Sequence, residues 1–272
     1  MPELPEVETT RRGLAPHLEG ETIAAVIIRQ PRLRWEIPTD LAQILPQQTI
    51  HRLTRRAKYL LLTCDTGTLI LHLGMSGSLR ILLTDTPPEK HDHFDLILTN
   101  GKRMRLRDPR RFGAVLWHTG EVHTHPLLAK LGVEPLESAF DADFLYQGTR
   151  ERNTPIKQLI MDHHLVVGVG NIYANESLFR AKIHPQRPAK QLTLADCARL
   201  VEEIRATLTE SIQQGGSTLR DFVSATGQAG YFQQNYWVYG RNGEPCRVCG
   251  EKILHIKQGQ RASFYCGKCQ AG

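Results

Sequence analysis

The stretch Tyr59-Leu60-Leu61-Leu62-Thr63-Cys64-Asp65-Thr66-Gly67-Thr68-Leu69-Ile70-Leu71-His72-Leu73 decides how the first half of this chain folds. Two short apolar runs flank the turn residues Asp65-Thr66-Gly67, a pattern that predicts a β-hairpin. Similar runs recur on both sides, at Ile23–Ile28, Thr49–Leu53, Leu79–Leu82, Phe94–Leu98, Met104–Arg107 and Ala114–Trp117, with Asn100-Gly101 among the separating turns. Runs at this spacing predict an antiparallel sandwich or barrel over residues 22–118. Ahead of it, residues 3–18 predict a helix with Val7, Leu14 and Leu18 on one face and Gly20 past its end.

Beyond residue 118 the pattern turns helical. Helices are predicted at Pro126–Leu131, Asp141–Gly148, Ile156–Asp162, Asn171–Ile183 and Leu194–Gln213, with Arg150–Asn153 as a polar hinge. The longest of these places Leu200, Ile204, Leu208 and Ile212 four residues apart, on one face. Residues 214–236 are glycine-rich and predict a functional loop or a plain connector. The whole is an α+β multidomain chain.

Composition narrows the function. A chain of 272 residues predicts two domains. A formal charge of +6 favours an anionic partner. No apolar run approaches the length of a membrane span, and no basic, apolar leader opens the sequence, so a cytosolic protein with no membrane partner is expected. Six cysteines in such a compartment are not expected to form disulfides.

Four of them follow a metal-binding rhythm: Cys246-x-x-Cys249, sixteen residues, then Cys266-x-x-Cys269. Four thiolates at this spacing predict one tetrahedral, structural zinc ion with no position open for catalysis. The alternating segment between the pairs, turning at Gly259, predicts a zinc-clamped hairpin with Arg261 near its tip. Cys64 and Cys197 lack any such spacing and are expected in the core.

Val166-Val167-Gly168-Val169-Gly170-Asn171 runs into a helix, with Asn171 expected as its cap. The exposed N–H groups there suit a phosphate, which Lys157 would share; a tight helix–turn–helix connector has the same sequence form. Basic and polar residues also gather at strand ends: Lys58, His72, and Arg107, Arg110 and Arg111 around Asp108-Pro109. Met75 and Phe112 fall on the loops beside them, where they would either wedge into a base stack or pack inward. His91-Asp92-His93 with Asp95 has the look of a metal half-site, but neighbouring strand residues point to opposite faces.

The first residues, Met1-Pro2-Glu3-Leu4-Pro5-Glu6, carry the chemistry. Removal of Met1 would leave Pro2 with a free secondary amine, a nucleophile that gives an iminium with a sugar carbon. Glu3 adds a carboxyl beside it. The same residues would also serve simply to start a helix.

In this order the motifs closely resemble those of bacterial formamidopyrimidine-DNA glycosylases: Met-Pro-Glu-Leu-Pro-Glu, Arg-Arg-Ala-Lys58, His72-Leu-Gly-Met-Ser-Gly, Asp108-Pro-Arg-Arg-Phe-Gly, Gly168-Val-Gly-Asn171 and the four-Cys hairpin. The resemblance implies a catalytic β-sandwich (1–132), a linker (133–152), a helix–two-turn–helix domain (153–236) and a zinc hairpin (237–272), with damaged duplex DNA in the cleft between lobes. It implies Pro2 as nucleophile at the lesion's C1′, Glu3 as acid/base, and Lys58, His72, Asn171 and Arg261 as phosphate ligands, joined by Lys157. Met75, Arg110 and Phe112 would fill the void left by a flipped base, and the 217–230 loop would close over that base. A base-excision repair glycosylase and AP lyase is thereby implied, monomeric, in the bacterial cytoplasm near the nucleoid. The related endonuclease VIII branch, acting on oxidised pyrimidines, shares Pro2, Glu3 and the hairpin, but Leu4, Met75 and Phe112 favour the purine branch. A DNA-binding protein with no enzymatic activity is the remaining alternative.

Overall fold

The computed structural model describes residues 2–215 and 236–271. These form two compact units, one within residues 2–129 and the other within 130–213 and 236–271. Among the described residues, no helix is long and apolar enough to cross a membrane.

The first unit opens with helix α1 (Leu4–Leu18). Pro5 lies in its first turn, where a missing N–H costs nothing, and Leu4, Val7, Leu14 and Leu18 are its buried apolar stripe. Eight strands follow: β1 (Ile23–Ile28), β2 (Arg52–Arg56), β3 (Tyr59–Thr63), β4 (Thr68–His72), β5 (Ser78–Leu83), β6 (Asp92–Leu98), β7 (Lys102–Arg107) and β8 (Ala114–His118). A one-turn helix α2 (Leu41–Ile44) lies between the first two. The strands make two antiparallel four-stranded sheets, β1-β6-β7-β5 and β2-β3-β4-β8. Leu60 and Leu62 of one sheet share a core with Phe94, Leu96, Met104 and Leu106 of the other, and α1 contributes Leu14 and Leu18. The expected sandwich is therefore present, and the hairpin at its centre pairs Leu62 with Leu69 and Tyr59 with His72.

Two local expectations fail for physical reasons. Strand β2 begins at Arg52 and not Thr49, because the Thr49 N–H is taken by the Asp65 carboxylate at 2.8 Å instead of a ladder carbonyl. Residues 126–131 form turns and no helix. The N–H groups of Leu128 and Ala129 both go to the His125 carbonyl, and the turn does not propagate.

The His91–Asp95 stretch belongs to an arginine network. Asp95, fully buried, accepts from Arg29 at 2.7 Å, Arg103 at 2.7 Å and Arg105 at 2.8 Å. Burial raises its pKa, but the bonds from Arg105 and Arg29 outweigh that and hold it at about 2. Asp92 takes Arg80, and His93 meets the Asp108 carbonyl.

The second unit contains α3 (Ala142–Thr149), α4 (Ile156–Ile160), α5 (Asn171–Arg180) and α6 (Leu194–Gln213), then the hairpin β9 (Ile253–Gln258) and β10 (Arg261–Cys266). Phe140 and Leu145 share one core with Tyr173, Leu200, Ile204 and Leu208, so the segment 133–152 is folded onto the helices. Phe264 N–H donates to Asn175 Oδ1 at 2.7 Å and Gln270 Nε2 to the Ile183 carbonyl at 2.8 Å, which fixes the hairpin to the helices. Cys64 and Cys197 are buried, and burial pushes their thiols up to about 12 and about 11, as inert core residues require. The expected 217–230 loop lies outside the described residues.

Candidate active site and nucleic-acid interface

Pro2 is half-buried at the entry to α1, and Glu3, the N-cap residue, is 2% exposed. The Glu3 N–H donates to Glu6 Oε2 at 2.7 Å, and the Glu3 side chain accepts from the Glu6 N–H to complete a capping box. One carboxyl, on the residue next to Pro2 in the chain, is thus held in a fixed orientation. The positive end of the α1 dipole lies at the same place.

Lys58 sits in the two-residue turn joining β2 to β3. Its neighbour Ala57 adopts a left-handed φ of 53°, which costs an alanine about 1 kcal/mol. The conformation is held because Ala57 is buried and Arg55 Nη1 donates to its carbonyl at 2.8 Å. Arg55 also reaches Glu8 on α1 at 3.3 Å, so the helix that carries Pro2 and the turn that carries Lys58 are tied together. Burial raises the pKa of Glu8, but Arg11, Arg12 and Arg55 outweigh it and keep the carboxylate charged.

His72 ends β4, packed on Tyr59 with ring centroids 4.8 Å apart. The Gly74 N–H donates to His72 Nδ1 at 3.0 Å, so the proton of the neutral ring is on Nε2. Burial first, then the charges of Lys58 and Arg34, pull the ring down to about 4, and it is neutral at pH 7. A neutral ring that donates from Nε2 suits a phosphate oxygen. Arg34 was not evident from the sequence, because it lies on an irregular segment; its backbone N–H bonds the Gly113 carbonyl at 3.1 Å, which brings it to the His72 loop.

Met75 and Phe112 are 39% and 43% exposed, on adjacent loops outside the core. Arg110 stacks on Phe112, with its guanidinium 4.9 Å from the ring centroid. The loops touch backbone to backbone. A Cβ on Gly74 would lie 2.3 Å from the Phe112 carbonyl carbon, and one on Gly113 would lie 2.7 Å from the His72 carbonyl oxygen. Gly74 also has a φ of +62°, so glycine is needed there on both counts. An open cavity of about 530 Å³ lies beside these loops, lined by His72, Met75, Phe112, Leu33, Arg34 and Arg111.

The remaining expected residues lie in the second unit. The N-cap of α5 is Gly170 and not Asn171, which occupies the first helical position. The Asn171 amide is used otherwise: Oδ1 accepts from Lys157 Nζ at 2.7 Å and Nδ2 donates to the Ala262 carbonyl at 3.1 Å. Lys157, expected beside a phosphate, is 1% exposed. Its ammonium also donates to the Ala262 carbonyl at 2.9 Å and to Ser263 Oγ at 2.6 Å. Lys157 therefore orients Asn171 from behind. The shared Ala262 carbonyl sets Asn171 next to exposed Arg261 on the hairpin.

The four cysteine Sγ atoms lie within 4.8 Å of one another, with Cys246 to Cys269 at 3.9 Å and Cys249 to Cys266 at 3.4 Å. A tetrahedron of thiolates about 2.3 Å from zinc has edges of about 3.8 Å, so the set fits the ion. Backbone N–H groups of Val248 and Cys269 point at Cys246 and Cys266 Sγ at 3.5 and 3.4 Å, which favours the thiolate form. Nearby, the buried Glu176 carboxylate accepts from the N–H groups of Trp237, Val238 and Tyr239, anchoring the chain where it rejoins the helices.

Comparison with known proteins agrees over the whole length. Residues 1–115 match the formamidopyrimidine-DNA glycosylase N-terminal domain, 131–223 its H2TH domain, and 243–272 a zinc finger found in FPG and IleRS. Formamidopyrimidine-DNA glycosylase of Methylobacillus flagellatus is 59% identical over 272 residues, 100% of this chain and 97% of that protein. The MutM (Fpg) protein of Thermus thermophilus superposes with a TM-score of 0.88 at 38% identity, covering 99% of each chain. Lactococcus lactis Fpg in complex with DNA containing an abasic site gives 0.91 at 36% identity, over 99% of this chain and 100% of that one. The four cysteines thus form a structural zinc site, and the chain belongs to the formamidopyrimidine-DNA glycosylase family.

Proposed function

We propose that this protein removes oxidised purines, 8-oxoguanine and formamidopyrimidines, from duplex DNA through Pro2 and then cuts the strand, acting as a monomer in the bacterial cytoplasm. The observation that carries this reading is the half-buried Pro2 followed by Glu3, whose buried side chain is oriented by the capping box with Glu6. The damaged nucleotide is flipped out, because its sugar carbon is shielded inside the stack. The Pro2 nitrogen bonds to C1′ as the base departs. Glu3 takes the proton from the Pro2 nitrogen and gives it to the ring oxygen as the sugar opens, leaving an iminium on Pro2. Loss of a C2′ proton then breaks the bond to the 3′-phosphate, and a second elimination releases the 5′-phosphate. Lys58 holds a phosphate near the lesion, and His72, Asn171 and Arg261 hold other phosphates of the duplex. Met75, Arg110 and Phe112 occupy the gap. Zinc holds the hairpin in shape and takes no chemical part. The sandwich (1–132), connector (133–152), helical domain (153–236) and hairpin (237–272) are the working parts.

Borohydride tests the covalent step: it should reduce the iminium and leave the protein attached to 8-oxoguanine DNA. Strand cleavage without any adduct would remove Pro2 from the mechanism. Glu3→Gln should slow excision of 8-oxoguanine by roughly a hundredfold or more, and cleavage of a preformed abasic site less, since no base has to leave there. Equal losses on both substrates would contradict the role given to Glu3.

Arg110 explains a choice of partner base. Its guanidinium has only donors, and cytosine offers O2 and N3 as adjacent acceptors, whereas adenine sets an amino donor beside N1. A fitted bidentate contact discriminates by about 1–3 kcal/mol, so excision opposite cytosine should exceed that opposite adenine by roughly ten- to a hundredfold. Arg110→Ala should flatten the ratio; a ratio that survives would place discrimination elsewhere.

A further inference from the structure

Asp108 is fully buried, yet the two donors that its carboxylate holds come from different loops. Ser76 Oγ, on the Met75 loop, donates to Oδ1 at 2.9 Å. The Gly113 N–H, on the Phe112 loop, donates to Oδ2 at 2.7 Å. Ser76 Oγ in turn accepts the Arg110 N–H at 3.2 Å, so the hydroxyl is bonded to both sides. The Asp108 carbonyl closes the turn by accepting the Arg111 N–H at 3.1 Å, and His93 Nε2 lies 2.9 Å from the same oxygen. Beneath these bonds the loops already touch at Gly74 and Gly113, where no side chain fits.

We propose that Asp108 and Ser76 form a clamp that makes Met75, Arg110 and Phe112 enter DNA as one rigid piece, and that Asp108 is thereby a positioning residue for both base extrusion and partner-base choice. This rests on the placement of those three side chains in the void left by the lesion. The physical reason is order. Each of the three is exposed and on a loop, so its own rotamers and backbone are free to wander. A buried carboxylate with two fixed donors removes that freedom before DNA arrives, and the cost of ordering is not met during extrusion. Ser76→Ala removes one arm of the clamp and leaves the buried carboxylate bonded to Gly113. Asp108→Asn keeps the shape and still accepts from Gly113 through its oxygen, but its amide nitrogen can only donate to Ser76 Oγ, so the Ser76 hydroxyl proton loses its acceptor and the arm to the Met75 loop is weakened.

The test compares wild type, Ser76→Ala and Asp108→Asn, with zinc loaded, on 8-oxoguanine opposite cytosine and opposite adenine. Both variants should slow excision opposite cytosine by roughly ten- to a hundredfold and shrink the cytosine-to-adenine ratio severalfold. Borohydride trapping on a preformed abasic site should change by less than about threefold, because no base has to be extruded there. The clamp also predicts coupling: Met75→Ala and Phe112→Ala should be non-additive in wild type and additive in the Ser76→Ala background. Equal slowing on both partner bases and on the abasic site, with the coupling intact, would overturn the proposal by reducing Asp108 to a fold residue. If Met75→Ala and Phe112→Ala each leave excision unchanged, the wedge placement itself fails and takes the clamp with it. If they slow excision while Ser76→Ala and Asp108→Asn match wild type, the clamp alone is wrong. Ser76→Thr, which keeps the hydroxyl, should restore both the rate and the ratio.

Discussion

Pro2→Gly is expected to lower borohydride trapping on 8-oxoguanine DNA by roughly a hundredfold or more, with strand cleavage falling in step and duplex binding retained. The substitution still leaves an amine once Met1 is removed, so the loss must come from what the ring supplies. A secondary amine condenses directly to a cationic iminium, the electron sink for elimination; a primary amine stops at a neutral imine that must first capture a proton. The ring also restricts the chain end, and the nitrogen meets the sugar from one direction. Helix α1 begins at Leu4, so a glycine at position 2 loosens the chain just where the capping box of Glu3 and Glu6 ends. Binding should persist because duplex affinity comes mainly from contacts to the phosphates, and Pro2 is assigned to the sugar and not to a phosphate. Gel-shift affinity on an uncleavable abasic analogue, measured beside trapping, separates the two effects. Protein in which Met1 is shown to be retained should behave like the variant, since the acylated nitrogen has no lone pair to offer; full trapping by that protein would exclude Pro2.

Removing the zinc, or replacing Cys249 by Ala, should lower DNA affinity by on the order of a hundredfold or more while the β-sandwich stays folded. The hairpin core consists of little more than Ile253, Val238, Phe179 and the cysteines themselves, too small to hold a shape without the ion. Its strands β9 and β10 carry Arg261 and supply the Ala262 carbonyl that orients Asn171 and Lys157. When the hairpin loosens, Arg261 and Asn171 lose their common fixture together, so the loss exceeds that of one phosphate contact. The sandwich has its own core from both sheets and α1, and no cysteine ligand lies in it. Thermal unfolding should therefore retain the transition of the first unit, and fluorescence anisotropy should show weakened binding to every DNA sequence alike. Unchanged affinity in protein verified to be metal-free would contradict the role of the hairpin.

Local patterns were enough for the sheet, the long helices and the zinc site. Alternation and turn residues are written in short windows, so the β3–β4 hairpin, α6 and the two Cys-x-x-Cys pairs were legible directly. The chemistry proposed for Pro2 and Glu3 rests on the nature and order of residues at one end of the chain. What only tertiary structure decided was how side chains distant in sequence spend their hydrogen bonds. Lys157 has the sequence of a phosphate ligand, but it is buried and donates to Asn171, to the Ala262 carbonyl and to Ser263, 106 residues away, which ties it to Asn171 and the hairpin. Asn171 has the sequence of a helix cap, but Gly170 fills that position. Arg34 gains its place beside His72 through a backbone bond to Gly113, and Asp108 is joined to Ser76 across 32 residues. A residue type states what a side chain is able to donate or accept; its partner is set only when sheets and loops close on one another and water is excluded, and no window along the chain contains both ends of such a bond.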